Sequence, residues 1–140
     1  MNSFRTFMKL GELPDGTITG MFKGGYEIDH CSYAFDQGID EKGQAQTEVH
    51  GGTITLIIRQ LPSDELIRWG MESRHYVSGA IVLYDPDNVP IEKTFFNNAA
   101  CVYMKIDYES DGASYVYTQM TIKAETIIIG EAKFENKWIN

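Results

Sequence analysis

The stretch AACVYMKIDYESDGASYVYTQMTIKA, Ala99 to Ala124, alternates apolar and polar residues on both sides of Ser-Asp-Gly. A period of two is the signature of a strand with one buried face, and two such runs around a turn make a hairpin. On the first arm Ala100, Val102, Met104, Ile106 and Tyr108 share a face, and on the second Val116, Thr118, Met120, Ile122 and Ala124 do. Every one of these positions is even, and a slip of one residue would turn one arm's apolar set outward. Pairing even with even needs a loop of odd length. The spacing therefore predicts a three-residue Ser110-Asp111-Gly112 loop with Gly112 left-handed. The opposite face carries Tyr103, Tyr115, Tyr117 and Gln119, a candidate subunit interface, although solvated cross-strand tyrosines have the same pattern.

The rest of the chain is written largely in the same period. Strand-like runs cover 3–10, 26–35, 54–58, 76–84, 91–96, 99–109, 114–126 and 127–134, punctuated by PDG, KGG, DPDN and SDG. One segment departs from it: PSDELIRWGMESR, Pro62 to Arg74, has a Ser63 N-cap, acidic Asp64 and Glu65 in the first turn, and Arg68 and Arg74 toward the far end. Leu66, Ile67, Trp69 and Met71 are its expected packing stripe, and Gly70 a place for close approach. Between Phe35 and Val49 the polar, glycine-broken DQGIDEKGQAQTE has almost nothing to bury, as expected of a functional or disordered loop. The fold class expected is mostly β: a small closed β-barrel or sandwich of about eight to nine antiparallel strands, with one flanking α-helix (about 63–74) and a long extended loop (about 36–48). All 140 residues are expected to form a single domain.

Charge and composition narrow the function. A formal net charge of -8 opposes binding to nucleic acid, and no apolar run approaches the roughly 18 residues of a membrane span. The first residues lack the continuous apolar core of a secretory signal. Cys31 and Cys101 are expected as buried thiols in a reducing compartment. His30, Cys31, His50, His75 and Cys101 have poor ligand spacing, since His30 and Cys31 point to opposite faces of one strand; no metal is expected. His50-Gly51-Gly52 is followed by a strand rather than the helix that a phosphate loop requires. Gly51 and Gly52 are instead expected to mark a bulge or bend. No serine lies in a nucleophile elbow, and no nucleophile, base and orienter converge, so neither catalytic residues nor a cofactor are expected.

The order of these segments resembles the Hcp family, also called TssD, the tube-forming proteins of the bacterial type VI secretion system. The residues carrying the resemblance are SFRTFMKL (3–10), CSYAFDQGIDEKGQAQTEVHGGTITL (31–56), LPSDELIRWGM (61–71), FFNNAACVYMKIDY (95–108) and TIKAETIIIGEAKFENKW (121–138). The wording is most similar to a divergent branch of the family. The resemblance implies a β-barrel with one flanking helix that closes head-to-tail into homohexameric rings, which stack into a tube. It also implies a surrounding contractile sheath and baseplate, a VgrG-type spike, and effector proteins as cargo. Assembly would occur in the bacterial cytoplasm, followed by release outside or delivery into a target cell. In the family an extended loop reaches the next ring, which here corresponds to Gly38, Ile39, Asp40, Glu41, Lys42, Gly43 and Gln44. Many relatives have proline after the loop glycine, where this chain has Gly43-Gln44-Ala45. With so acidic a subunit, stacking should strengthen as salt screens repulsion. The alternative reading is a monomeric β-barrel that binds a small ligand in its interior.

Overall fold

The computed structural model describes residues 3–11, 25–39 and 45–135. Eight strands and one helix occur among them: β1 (Arg5–Leu10), β2 (Tyr26–Ile28), β3 (His30–Ile39), β4 (Ala45–Ile58), α1 (Asp64–Met71), β5 (Tyr76–Tyr84), β6 (Pro90–Glu109), β7 (Tyr115–Ile129) and β8 (Ala132–Glu135). All pair antiparallel in the order β2-β1-β5-β6-β7-β4-β3, with β8 joining β7 beyond the reach of β4. The two ends of this order are neighbours in the chain. β2 pairs with β1, Asp29 N–H donates to Ile57 O at 2.8 Å, and β3 pairs with β4. One nearly continuous strand thus bridges both ends and curls the sheet into a barrel, which leaves few free edges.

The interior follows the period of two. Ile54, Leu56 and Ile58 of β4 face Met120, Ile122 and Ala124 of β7, with Met8, Ile81 and Phe96 from β1, β5 and β6. Gly79 lets β1 and β6 close on β5, since a Cβ there would lie 2.5 Å from Lys9 O and 2.8 Å from Phe96 Cζ. The runs 91–96 and 99–109 are one strand rather than two. Asn98 takes a φ of 51° and bends the strand without ending it, because its N–H donates to Ser78 Oγ and its amide to Glu125 Oε2.

Ser63 caps α1 by accepting the Leu66 N–H at 3.3 Å. Tyr26 OH donates to Glu65 Oε2 at 2.7 Å, which leaves the Ser63 hydroxyl to donate to the Tyr26 oxygen at 2.6 Å. At the far end Trp69 is buried, stacks on Phe96 at 6.2 Å and donates its indole N–H to Ala99 O at 2.8 Å. The helix is therefore tied to β2 at one end and β6 at the other. It stops at Met71, short of Arg74, where Glu72 is extended and Arg74 has φ 58°. The packing stripe is Leu66, Trp69 and Gly70. Met71, expected on it, is 78% exposed, because the i, i+3, i+4 face runs through Gly70 to Met104.

Candidate functional site

The hairpin read first extends past the barrel. β5 accompanies β6 only to Ala100, and β4 accompanies β7 only to Thr118, whereas β6 and β7 pair on to Glu109 and Tyr115. Beyond these points neither arm has another strand beside it among the described residues. Residues 101–109 of β6 thus offer an open edge about 30 Å long at the usual strand rise. The register is even with even from Met104↔Met120 to Tyr108↔Val116. The loop between the last pair, Glu109↔Tyr115, has five residues rather than three, closed by Ser114 Oγ donating to Ser110 O at 3.0 Å, with Gly112 at φ 64°. The loop length stays odd, so even positions still face even ones, although the pairing lies two residues from that of a three-residue loop. A bulge between Cys101 and Tyr103 then shifts the pairing to Cys101↔Ile122, so the expected face of the first arm is not continuous.

The two faces of this hairpin differ. On the even face Met104 meets Gly70, and Thr118 Oγ1 donates to Gln60 O at 2.9 Å, so the approach to α1 covers that level. Past it Ile106 and Tyr108 are exposed, Tyr108 at 72%, with exposed Val102 on the same arm. Leu61 and Met71, at the two ends of the covering segment, are exposed as well.

The odd face brings together Tyr103, Tyr115, Tyr117 and Gln119, the residues singled out in sequence. Tyr115 stacks on Tyr117 at 5.9 Å, Tyr117 OH donates to Asp107 Oδ2 at 3.0 Å, and Lys105 Nζ lies 3.8 Å from the same oxygen. The Tyr117 oxygen and, second, the Asp107 carboxylate hold the Lys105 ammonium above its ordinary range. On this face Tyr117, Asp107 and Lys105 satisfy one another, with Tyr103 and Tyr115 exposed beside them, whereas the even face leaves Ile106 and Tyr108 open without such polar partners. Sequence reasoning passed over the even face because alternation assigns it to the core, and nothing in the pattern says where the covering strands stop.

A second hairpin, β3–β4, leads toward the candidate stacking loop. Of that loop Gly38 and Ile39 belong to β3, and Ile39 pairs with Ala45, while Asp40, Glu41, Lys42, Gly43 and Gln44 lie outside the described residues. The long loop expected over 36–48 is therefore mostly paired strand, because backbone pairing there needs no apolar side chains. Gly51 pairs with Phe35, and Gly52 sits at the register shift with φ 57°. Since Thr53 pairs with Lys123 and Ile58 with Thr118, the described arms of the two hairpins run out from opposite ends of the barrel. Among the described residues no three His, Cys, Asp or Glu side chains cluster as a metal site would require.

The family model for the hemolysin coregulated protein Hcp (TssD) matches residues 2–139. The fold is similar to that of Hcp1 from Flavobacterium johnsoniae, at 22% identity and TM-score 0.77 over 94% of this chain and 99% of that one. It is also similar to Hcp1 from Salmonella typhimurium, at 11% identity and TM-score 0.66 over 94% and 91%. A chain of the sheath-tube complex of an extracellular contractile injection system is similar at 14% identity and TM-score 0.58 over 91% and 89%. No curated protein matches the chain.

Proposed function

The chain belongs to the hemolysin coregulated protein family, Hcp (TssD), and on that premise we propose that it is the repeating subunit of a type VI secretion inner tube. Subunits close into hexameric rings, the rings stack, and sheath contraction propels the tube. The observation that carries this reading beyond the family match is the projecting β6–β7 hairpin, with its open edge and uncovered Ile106 and Tyr108. Exposed apolar side chains on an unpaired edge are a liability in a monomer and an asset in an assembly. Head-to-tail contact of such an edge with a different surface of the next copy is a heterologous interface, which closes into a ring when the rotation allows. Ile106, Tyr108, Leu61 and Met71 would form its dry centre. Tyr103, Tyr115, Tyr117 and Gln119 would form a wetter flank, as tyrosines do at interfaces.

Stacking falls to the opposite end of the barrel, where Gly38 to Gln44 would reach the next ring. The placement of the two hairpins at opposite ends supports this division of labour. The further partners are a VgrG-type spike, sheath and baseplate proteins, and effectors carried in the lumen, with assembly in the cytoplasm before release. The role is mechanical rather than catalytic.

The test is a double substitution, Ile106→Asp with Tyr108→Ser. Both side chains are exposed in the subunit, so the thermal midpoint should move by no more than about 0.5 kcal/mol equivalent. Sedimentation should change from the ring to a single species near 15.9 kDa. Rings that persist at the wild-type concentration dependence would remove this hairpin from the interface.

A further inference from the structure

A half-open pocket of about 200 Å³ lies between β1, β3, β5 and β6, lined by Thr6 on β1, Ile81 and Leu83 on β5, Cys31 and Tyr33 on β3, and exposed Glu92 and buried Thr94 on β6. These residues meet because Thr94 pairs with Ile81 and Glu92 with Leu83, while Cys31 and Tyr33 stand two residues apart on one face of β3. The volume equals that of about six or seven waters at roughly 30 Å³ each, too large for a packing defect and small for most ligand sites.

Its polar groups are only partly matched to one another: the Cys31 thiol and the Tyr33 phenol bond to each other, and the Thr94 hydroxyl is left over. Thr94 is 1% exposed, yet its hydroxyl has no hydrogen-bond partner among the described residues, and the nearby Tyr33 phenol does not meet it in bonding geometry. Buried hydroxyls are rarely left in this state. Burial pushes the Cys31 thiol up to about 11 and the Tyr33 phenol upward, and the Glu92 carboxylate adds to both. Thiol and phenol therefore stay neutral at physiological pH, and the field of Glu92 reaches into the cavity. No lysine or arginine lines it. The available acceptors are the Glu92 carboxylate and the Tyr33, Thr94 and Thr6 oxygens, beside an aromatic ring and two aliphatic side chains.

We propose that this cavity binds a small primary ammonium compound, with its N–H donors on Glu92, Tyr33 and Thr94 and its short alkyl stem against Ile81 and Leu83. The ammonium head satisfies three acceptors at once and gains from the face of Tyr33, while a neutral alcohol of equal length offers a single donor. The site lies in the wall of each subunit and is separate from the hairpin that we assign to ring closure, so it does not depend on the tube reading.

The experiment is a titration of the assembled wild-type protein with n-butylammonium chloride, followed through the methyl signals of Ile81 and Leu83. Saturable shifts confined to this cavity are expected, with n-butanol at least about tenfold weaker, the worth of one charge-assisted contact. Glu92→Gln should lose at least about tenfold in affinity. Thr94→Val, which keeps the shape and removes the orphan hydroxyl, should lose several-fold while folding normally. Absence of saturation at millimolar concentrations, equal binding of n-butanol, or unchanged binding by either variant would overturn the proposal.

Discussion

Gly79 and Gly70 look alike in sequence and are opposite in structure. At Gly79 a Cβ would meet the Lys9 carbonyl at 2.5 Å, a backbone atom that moves only with the β1–β5 pairing. Gly79→Ala should cost about 2 to 3 kcal/mol in urea unfolding, as overpacking does. At Gly70 the nearest atoms are the Met104 Cε and Sδ at 2.7 and 2.8 Å, the far end of a flexible side chain, although Met104 Cβ is also near at 3.3 Å. There the helix gains about 1 kcal/mol from alanine, which offsets the repacking, so Gly70→Ala should fall within about 1 kcal/mol of the parent. A larger loss at Gly70 than at Gly79 would invert this account of the packing. Cys31 gives a pH test. Its thiol is raised to about 11 from an ordinary 9.0, so the folded state holds the proton more tightly than the unfolded chain. Its contribution to stability is whole below pH 9 and is lost as pH rises toward 11. The urea midpoint should fall over that window, and Cys31→Ala should flatten the slope; an unchanged slope would mean that the thiol is not desolvated. Trp69 and Leu66 were legible as anchors because helical spacing fixes them. The cavity around Thr94 was not, because threonine alternating in a strand gives no sign of whether its hydroxyl finds a partner.

At the scale of elements, the pairing of even with even positions in the hairpin was readable because apolar parity on the two arms admits only loops of odd length. The choice between three and five residues was not, since it turns on one bond from Ser114 to Ser110. The helix was legible from its cap and acidic first turn, but its end was not, because ESR after Met71 is compatible with one more turn. The joining of two expected strands into β6 was hidden for a similar reason. Asn97-Asn98 reads as a turn, and only the bonds to Ser78 and Glu125 let the strand continue through it. The division of labour between the hairpins is open to test at this scale. Replacing Ile39, Asp40 and Glu41 by glycine and serine should leave rings intact and abolish their stacking, scored as tube length in electron micrographs. Tubes of unchanged length would take the β3–β4 tip out of that role.

For the whole molecule, the central claim is that this barrel is a building block: a closed wall with one hairpin edge open toward a copy of itself. The sequence pointed there by resemblance and by the lack of convergent chemistry. It did not disclose which surface stays uncovered, because exposure depends on where β4 and β5 end. The most direct measurement is negative-stain imaging of the purified chain at increasing concentration, with rotational averaging of end-on particles. Annuli of sixfold symmetry, lost in the Ile106→Asp, Tyr108→Ser variant, are the predicted result. Single subunits of 15.9 kDa at every concentration, even with spike and sheath proteins added, would contradict it.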